Sequence, residues 1–122
     1  MLTIKTKLKE VPGKGIGLIS DQEIKKGQTV WIYNPIIDIT VKKKDVTKEV
    51  KDFFDIYSCD LGGDIYMLNV DDARFINHSK NPNIKNLGSY DKSIALKNIK
   101  KGEEITIDYN TIDVTDINFE VI

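Results

Sequence analysis

Glycine and proline breaks cut this chain into short β-branched runs, and a single stretch is long and periodic enough for a helix. Leu2-Thr3-Ile4-Lys5-Thr6 alternates apolar and polar residues, the pattern of a half-buried strand. Pro12-Gly13-Lys14-Gly15-Ile16-Gly17 breaks the chain, and Leu18-Ile19-Ser20 returns to strand. Lys25-Lys26-Gly27 is a turn ahead of the strand Thr29-Val30-Trp31-Ile32-Tyr33. Pro35 belongs at the edge or end of that strand, because it has no N–H to give to a ladder, and Ile36 to Val41 is extended. Between Asp45 and Cys59 the spacing predicts a helix. Asp45 or Thr47 would cap it, with Val46, Val50, Phe53, Phe54 and Tyr57 on one apolar face. Gly62-Gly63 ends that stretch, and Ile65 to Leu68 reads as a short buried strand. Ser93 to Lys97 and Glu104 to Tyr109 are two more strands, joined by a turn at Lys100-Lys101-Gly102. Short strands at close spacing with one or two short helices predict a mainly β domain of the α+β class.

With 122 residues there is material for one domain. A content of 40% hydrophobic and 30% charged residues allows a core of useful size. No run approaches the ~20 apolar residues of a membrane helix. Met1 to Lys5 lacks an apolar signal region, so the expected location is intracellular, cytoplasm or a host nucleus, rather than secreted. The one cysteine, Cys59, excludes an internal disulfide and a cysteine-based zinc cage. A net charge of −1 gives no basic field for nucleic acid. Seventeen of the 18 basic residues are lysine. The single arginine, Arg74, and the single histidine, His78, both fall within Arg74 to Ser79.

Three segments could carry chemistry. Gly15 and Gly17 flank Ile16 just before a strand, either as a plain turn or as a loop whose missing Cβ atoms let a ligand approach the backbone. No third glycine, helix start or Gly-Lys-Ser/Thr follows, so neither a dinucleotide fingerprint nor a Walker loop is present. The second segment is Arg74-Phe75-Ile76-Asn77-His78-Ser79 with Asn81-Pro82-Asn83 behind it. Ser79 has no glycine elbow and lies next to His78, which does not suit a nucleophile triad. One histidine and one cysteine are too few soft ligands for a metal, and no metal is expected. The third is Gly102-Glu103-Glu104-Ile105-Thr106-Ile107-Asp108-Tyr109, a turn and strand ending on a tyrosine.

Together and in this order, these segments resemble the SET domain of protein-lysine methyltransferases. Tyr57-Ser58-Cys59-Asp60-Leu61 is a fourth, softer match. The resemblance runs from about residue 4 to residue 110 and is nearest in size to the minimal viral and bacterial members. Residues 1–122 then form one SET domain with a tail at 111–122 and no pre-SET or post-SET module. The implied fold is a β-clip of small curved sheets with a C-terminal pseudoknot.

The implied activity is methyl transfer from S-adenosylmethionine to a lysine ε-amine, with S-adenosylhomocysteine as product and a protein, such as a histone tail, as partner. By the same resemblance, Lys14, Gly15, Ile16 and Gly17 meet the methionyl part of the cofactor. Arg74, Phe75, Asn77 and His78 hold its remainder, His78 largely through its backbone. Tyr109 stands beside the transferring methyl, and Tyr57 lines the lysine channel, although Tyr57 also fits the apolar face of its helix. Ile107 occupies a channel position that is aromatic in many relatives. The alternative reading is a catalytically silent SET-like module that binds a peptide or partner. Ile112, Val114, Ile117, Phe119 and Val121 make the tail apolar at intervals, so it is expected to cover the channel or to meet a second copy in a homodimer.

Overall fold

A computed structural model of the chain describes residues 1–88 and 91–111. Ten short strands in four small sheets and one α-helix occur among these residues. Strands β1 (Thr6–Val11) and β2 (Gly15–Ser20) form an antiparallel hairpin. Strand β3 (Thr29–Ile32) starts the second sheet, and β4 (Asp38–Lys42) the third. Helix α1 (Lys48–Tyr57) runs directly into β5 (Ser58–Asp60), and β6 (Ile65–Asn69) follows. The second half contributes β7 (Asn77–His78), β8 (Ile84–Leu87), β9 (Lys92–Ala95) and β10 (Thr106–Ile107). The sheet orders are β3-β9-β8 and β4-β6-β5, with β7 and β10 paired in parallel.

The mainly β expectation holds, and its departures have local causes. Leu2 makes only an isolated bridge to Trp31, and the first full strand begins at Thr6. Gly15 and Gly17 lie inside β2 rather than in a loop before it, because Val11 pairs with Gly15 and Lys9 with Gly17. The helix is shorter than its apolar spacing suggests. Lys43–Asp45 is a 3₁₀ turn, Val46 and Thr47 are extended, and Ser58 leaves the helix to pair with Leu68. Strand β8 falls where the sequence shows no alternating pattern.

Leu18, Ile24, Val30, Leu61, Met67, Ile84, Ile99 and Ile105 form the core with Trp31 between them. Residues 103–107 pass through the middle of it. On one side the Ser20 N–H donates to the Glu103 carbonyl at 2.9 Å and the Ile105 N–H to the Leu18 carbonyl at 2.8 Å. On the other, the Ser79 N–H donates to the Ile107 carbonyl at 3.0 Å. Asn83 completes that side: its Nδ2 donates to the Glu104 carbonyl at 2.8 Å and its Oδ1 accepts the Thr106 N–H at 2.9 Å. A late segment held between β2 and residues 77–83 is the threaded arrangement that the resemblance implied. Residues 112–122, with the five apolar side chains expected to act as a cover, lie outside the described residues.

Candidate active site

Two cavities meet at the end of α1. The smaller, about 210 Å³, is bounded by Lys14, Ile16, Tyr57, Arg74, Phe75, Asn77 and Tyr109. The larger, about 330 Å³, lies against Cys59, Met67, Asn69, Ile84, Asn86 and Ile107. Ile56, Tyr57, Arg74, Ile76 and Tyr109 line both, so these side chains stand at the junction.

The sequence brings each wall in by a local device. Asp71 caps the 3₁₀ turn Asp72–Phe75, its carboxylate accepting the Ala73 N–H at 3.1 Å and the Leu2 N–H at 2.8 Å. The turn swings Arg74 and Phe75 to the cleft. The Arg74 guanidinium donates to the Val70 and Asp71 carbonyls at 2.8 and 3.2 Å and lies over the Phe75 ring at 4.6 Å. A cation held by backbone and stacked on a ring makes a flat, positively charged wall. Tyr57, the last residue of α1, sets its ring edge-on to Phe75 at 5.7 Å and against Phe53 at 4.9 Å.

Tyr109 is not on a strand, as the sequence pattern suggests, but opens the 3₁₀ turn Tyr109–Thr111 after β10. Its hydroxyl donates to the Ile76 carbonyl. Its N–H donates to His78 Nδ1 at 3.1 Å, and the two rings lie 5.3 Å apart. Burial raises the phenol pKa, with smaller contributions from Cys59 and Glu104, so the hydroxyl keeps its proton at neutral pH. Burial likewise pushes the Cys59 thiol up to about 11, which leaves it a protonated wall of the cavity rather than a nucleophile.

Most of the residues singled out in the sequence come together here. Lys14, Ile16, Arg74, Phe75 and Asn77 share the smaller cavity, Ile107 faces the larger one, and Tyr57 and Tyr109 belong to both. His78 lines neither; its ring braces Tyr109 from behind. Gly15, between Lys14 and Ile16, lines neither cavity itself; it adopts φ 86°, where a side chain is strained, and a Cβ there would stand in open space. Gly17 is glycine for another reason: a Cβ would come within 2.6 Å of Val11 Cγ2 and 2.7 Å of Glu104 Oε2. Sequence reasoning missed Ile56 and Glu104. Ile56 lies three residues after Phe53 on the apolar face, and Glu104 sits inside the Gly-Glu-Glu motif without a role of its own. No group of three or more His, Cys, Asp or Glu side chains placed to hold a metal occurs among the described residues.

Residues 15–110 match the SET domain family model. A Candida albicans histone-lysine N-methyltransferase, H3 lysine-36 specific, is 31% identical over 121 residues. The match takes in 87% of this chain but 14% of that relative, so the chain spans a small part of its length. Among solved structures, the Neurospora SET domain protein DIM-5, a histone lysine methyltransferase, aligns with a TM-score of 0.63 at 22% identity, over 88% of this chain and 53% of its own. ctPRC2 in an autoinhibited conformation bound to S-adenosylmethionine aligns with a TM-score of 0.65 at 21% identity, over 87% of this chain and 15% of its own. These two likenesses are likenesses of fold. The family match, by contrast, spans the glycine strand, the Arg74–Ser79 motif and Tyr109 in one stretch, and the chain belongs to the SET domain family.

Proposed function

We propose that this chain transfers a methyl group from S-adenosylmethionine to the ε-amine of a lysine on a protein. The observation that carries this is the pair of cavities joined at Tyr57 and Tyr109. A two-substrate displacement needs two separate approaches to one point, and most of its rate comes from holding the partners in line. S-adenosylmethionine would supply an electrophilic sulfonium methyl at that junction and leave as S-adenosylhomocysteine.

This chain's own residues fit that group. The open backbone at Gly15, between the cavity residues Lys14 and Ile16, and the stacked Arg74–Phe75 wall suit a ligand with a flat base and a polar amino-acid end. On the other side, Met67, Ile76, Ile84 and Ile107 would bury the aliphatic stem of a lysine. That apolar setting favours the neutral amine, which in water is a minor species below about pH 10. The protonated Tyr109 hydroxyl, fixed by the Ile76 carbonyl, keeps its oxygen lone pairs for the amine N–H. His78 acts at one remove, by holding Tyr109 in place. The relatives act on histones, so a basic histone tail is the first substrate to try. A homodimer with the 111–122 tail as its seam belongs to the same reading.

Incubation with radiolabelled S-adenosylmethionine and a panel of basic proteins, histones included, tests the activity. Label on lysine, lost in Tyr109→Phe, is the expected result. Cofactor binding without transfer to any protein would turn the assignment to a silent binding module.

A further inference from the structure

Glu104 has no assigned role and lines neither cavity, yet it holds two residues that line the smaller one, Asn77 and Lys14. Its Oε2 accepts from Asn77 Nδ2 at 2.8 Å, and its Oε1 lies 3.4 Å from Lys14 Nζ. Gly17 lacks the Cβ that would collide with this carboxylate at 2.7 Å. The same Asn77 Nδ2 also donates to the Ile16 carbonyl at 3.2 Å.

An amide nitrogen has two protons, and these two acceptors use both. A carboxylate and a carbonyl can only accept, so the amide cannot turn over without setting oxygen against oxygen. Asn77 is thereby held with Oδ1 accepting from no donor among the described residues, and Asn77 lines the smaller cavity. A bare acceptor in a partly buried cleft selects a donor, above all a cationic one. The adjoining Lys14 is paired with Glu104 at 3.4 Å, so its charge opposes an ammonium at this end of the cleft less than an unpaired lysine would.

We propose that Glu104 is a positioning residue that fixes the Asn77 amide, so that its oxygen receives the α-ammonium at the amino-acid end of the cofactor. The inference rests on the proposed use of S-adenosylmethionine and adds the residue that sets the polarity of the cleft.

Calorimetric binding of S-adenosylhomocysteine and of its analogue with the α-amino group replaced by hydrogen tests it. The wild-type chain should prefer the amino compound about tenfold or more. Glu104→Ala should lose most of that preference by weakening the amino compound about tenfold while leaving the deamino analogue within twofold. Glu104→Gln, whose carbonyl can still accept from Asn77, should keep the preference. If Glu104→Ala unfolds, Glu104→Met carries the comparison with Glu104→Gln, since Met fills similar space without a strong acceptor. Equal weakening of both compounds would mean that Glu104 only supports the hairpin, and a wild-type preference retained in Glu104→Ala or Glu104→Met would also overturn the proposal. A wild-type chain that binds neither compound would overturn the cofactor reading itself, and this inference with it.

Discussion

Tyr109 meets the structure at both ends, through its N–H on His78 and its hydroxyl on the Ile76 carbonyl. Removing only the hydroxyl should therefore leave the ring in place. Tyr109→Phe is expected to bind S-adenosylhomocysteine within about threefold of wild type and to lose roughly tenfold or more in turnover, read from single-turnover label transfer. Cys59 makes a second prediction at this scale. In the unfolded chain its thiol ionises near 9.0, while in the native cavity it holds its proton to about 11. The native state therefore binds more protons between these values, and stability falls as pH rises from 9 toward 11. The full loss from this group is roughly 3 kcal/mol. Urea denaturation at intervals of pH should show that loss in the wild type, and a shallower slope in Cys59→Ala. Arg74 and Asn77 stand out in the sequence because their motif is contiguous, and Tyr109 because it closes the segment from Gly102 to Tyr109. Glu104 does not, because its contacts are with Asn77 and Lys14, 27 and 90 residues away.

Helix α1 shows where periodicity misleads. Its apolar residues recur as a core-facing helix would have them, yet none is buried, and Val50, Phe53 and Ile56 are 42%, 44% and 70% exposed. The spacing reported a real apolar face, but not what it packs on. Phe54, tilted against Tyr66 at 5.9 Å, and Tyr57, edge-on to Phe75 at 5.7 Å, are its ring contacts to the rest of the domain among the described residues. Phe54→Ala should cost roughly 2 kcal/mol in chemical denaturation, about half the cost at a fully buried phenylalanine. Ile56→Ser should stay within roughly 0.5 kcal/mol. If the two variants lose equal stability, α1 is anchored through a different face. Strand β8 escaped notice for the opposite reason: Ile84-Lys85-Asn86-Leu87 carries no strict alternation, and its pairing with β9 decides its form.

For the molecule as a whole, the joining of distant segments matters more than any one element. Asn83 is 6% exposed and clamps residues 104–106 through both atoms of its amide. Asn83→Ala should lower stability by roughly 2–4 kcal/mol, because two buried backbone groups lose their partners. Asn83→Asp should do no better, since a carboxylate cannot donate to the Glu104 carbonyl; a melting temperature equal to wild type in either variant would contradict the clamp. Assembly is decided by light scattering on the chain with and without residues 111–122. A dimer that falls to a monomer on truncation is the expected result. A monomer at both lengths, inactive when shortened, would make the tail a cover for its own channel.

Synthesis runs from the first residue to the last, and the chain on the ribosome cannot use what has not yet emerged. Lys14, Tyr57, Arg74 and Asn77 are made early, but Glu104 and Tyr109 are made late, and residues 103–107 must then slot between β2 and residues 77–83. A prematurely ended product therefore has neither the carboxylate that orients its cleft nor the tyrosine at the junction. The threading makes completion of the site all-or-none in time: the early sheets can be collapsed while the site is still open, and a stalled chain holds only part of it.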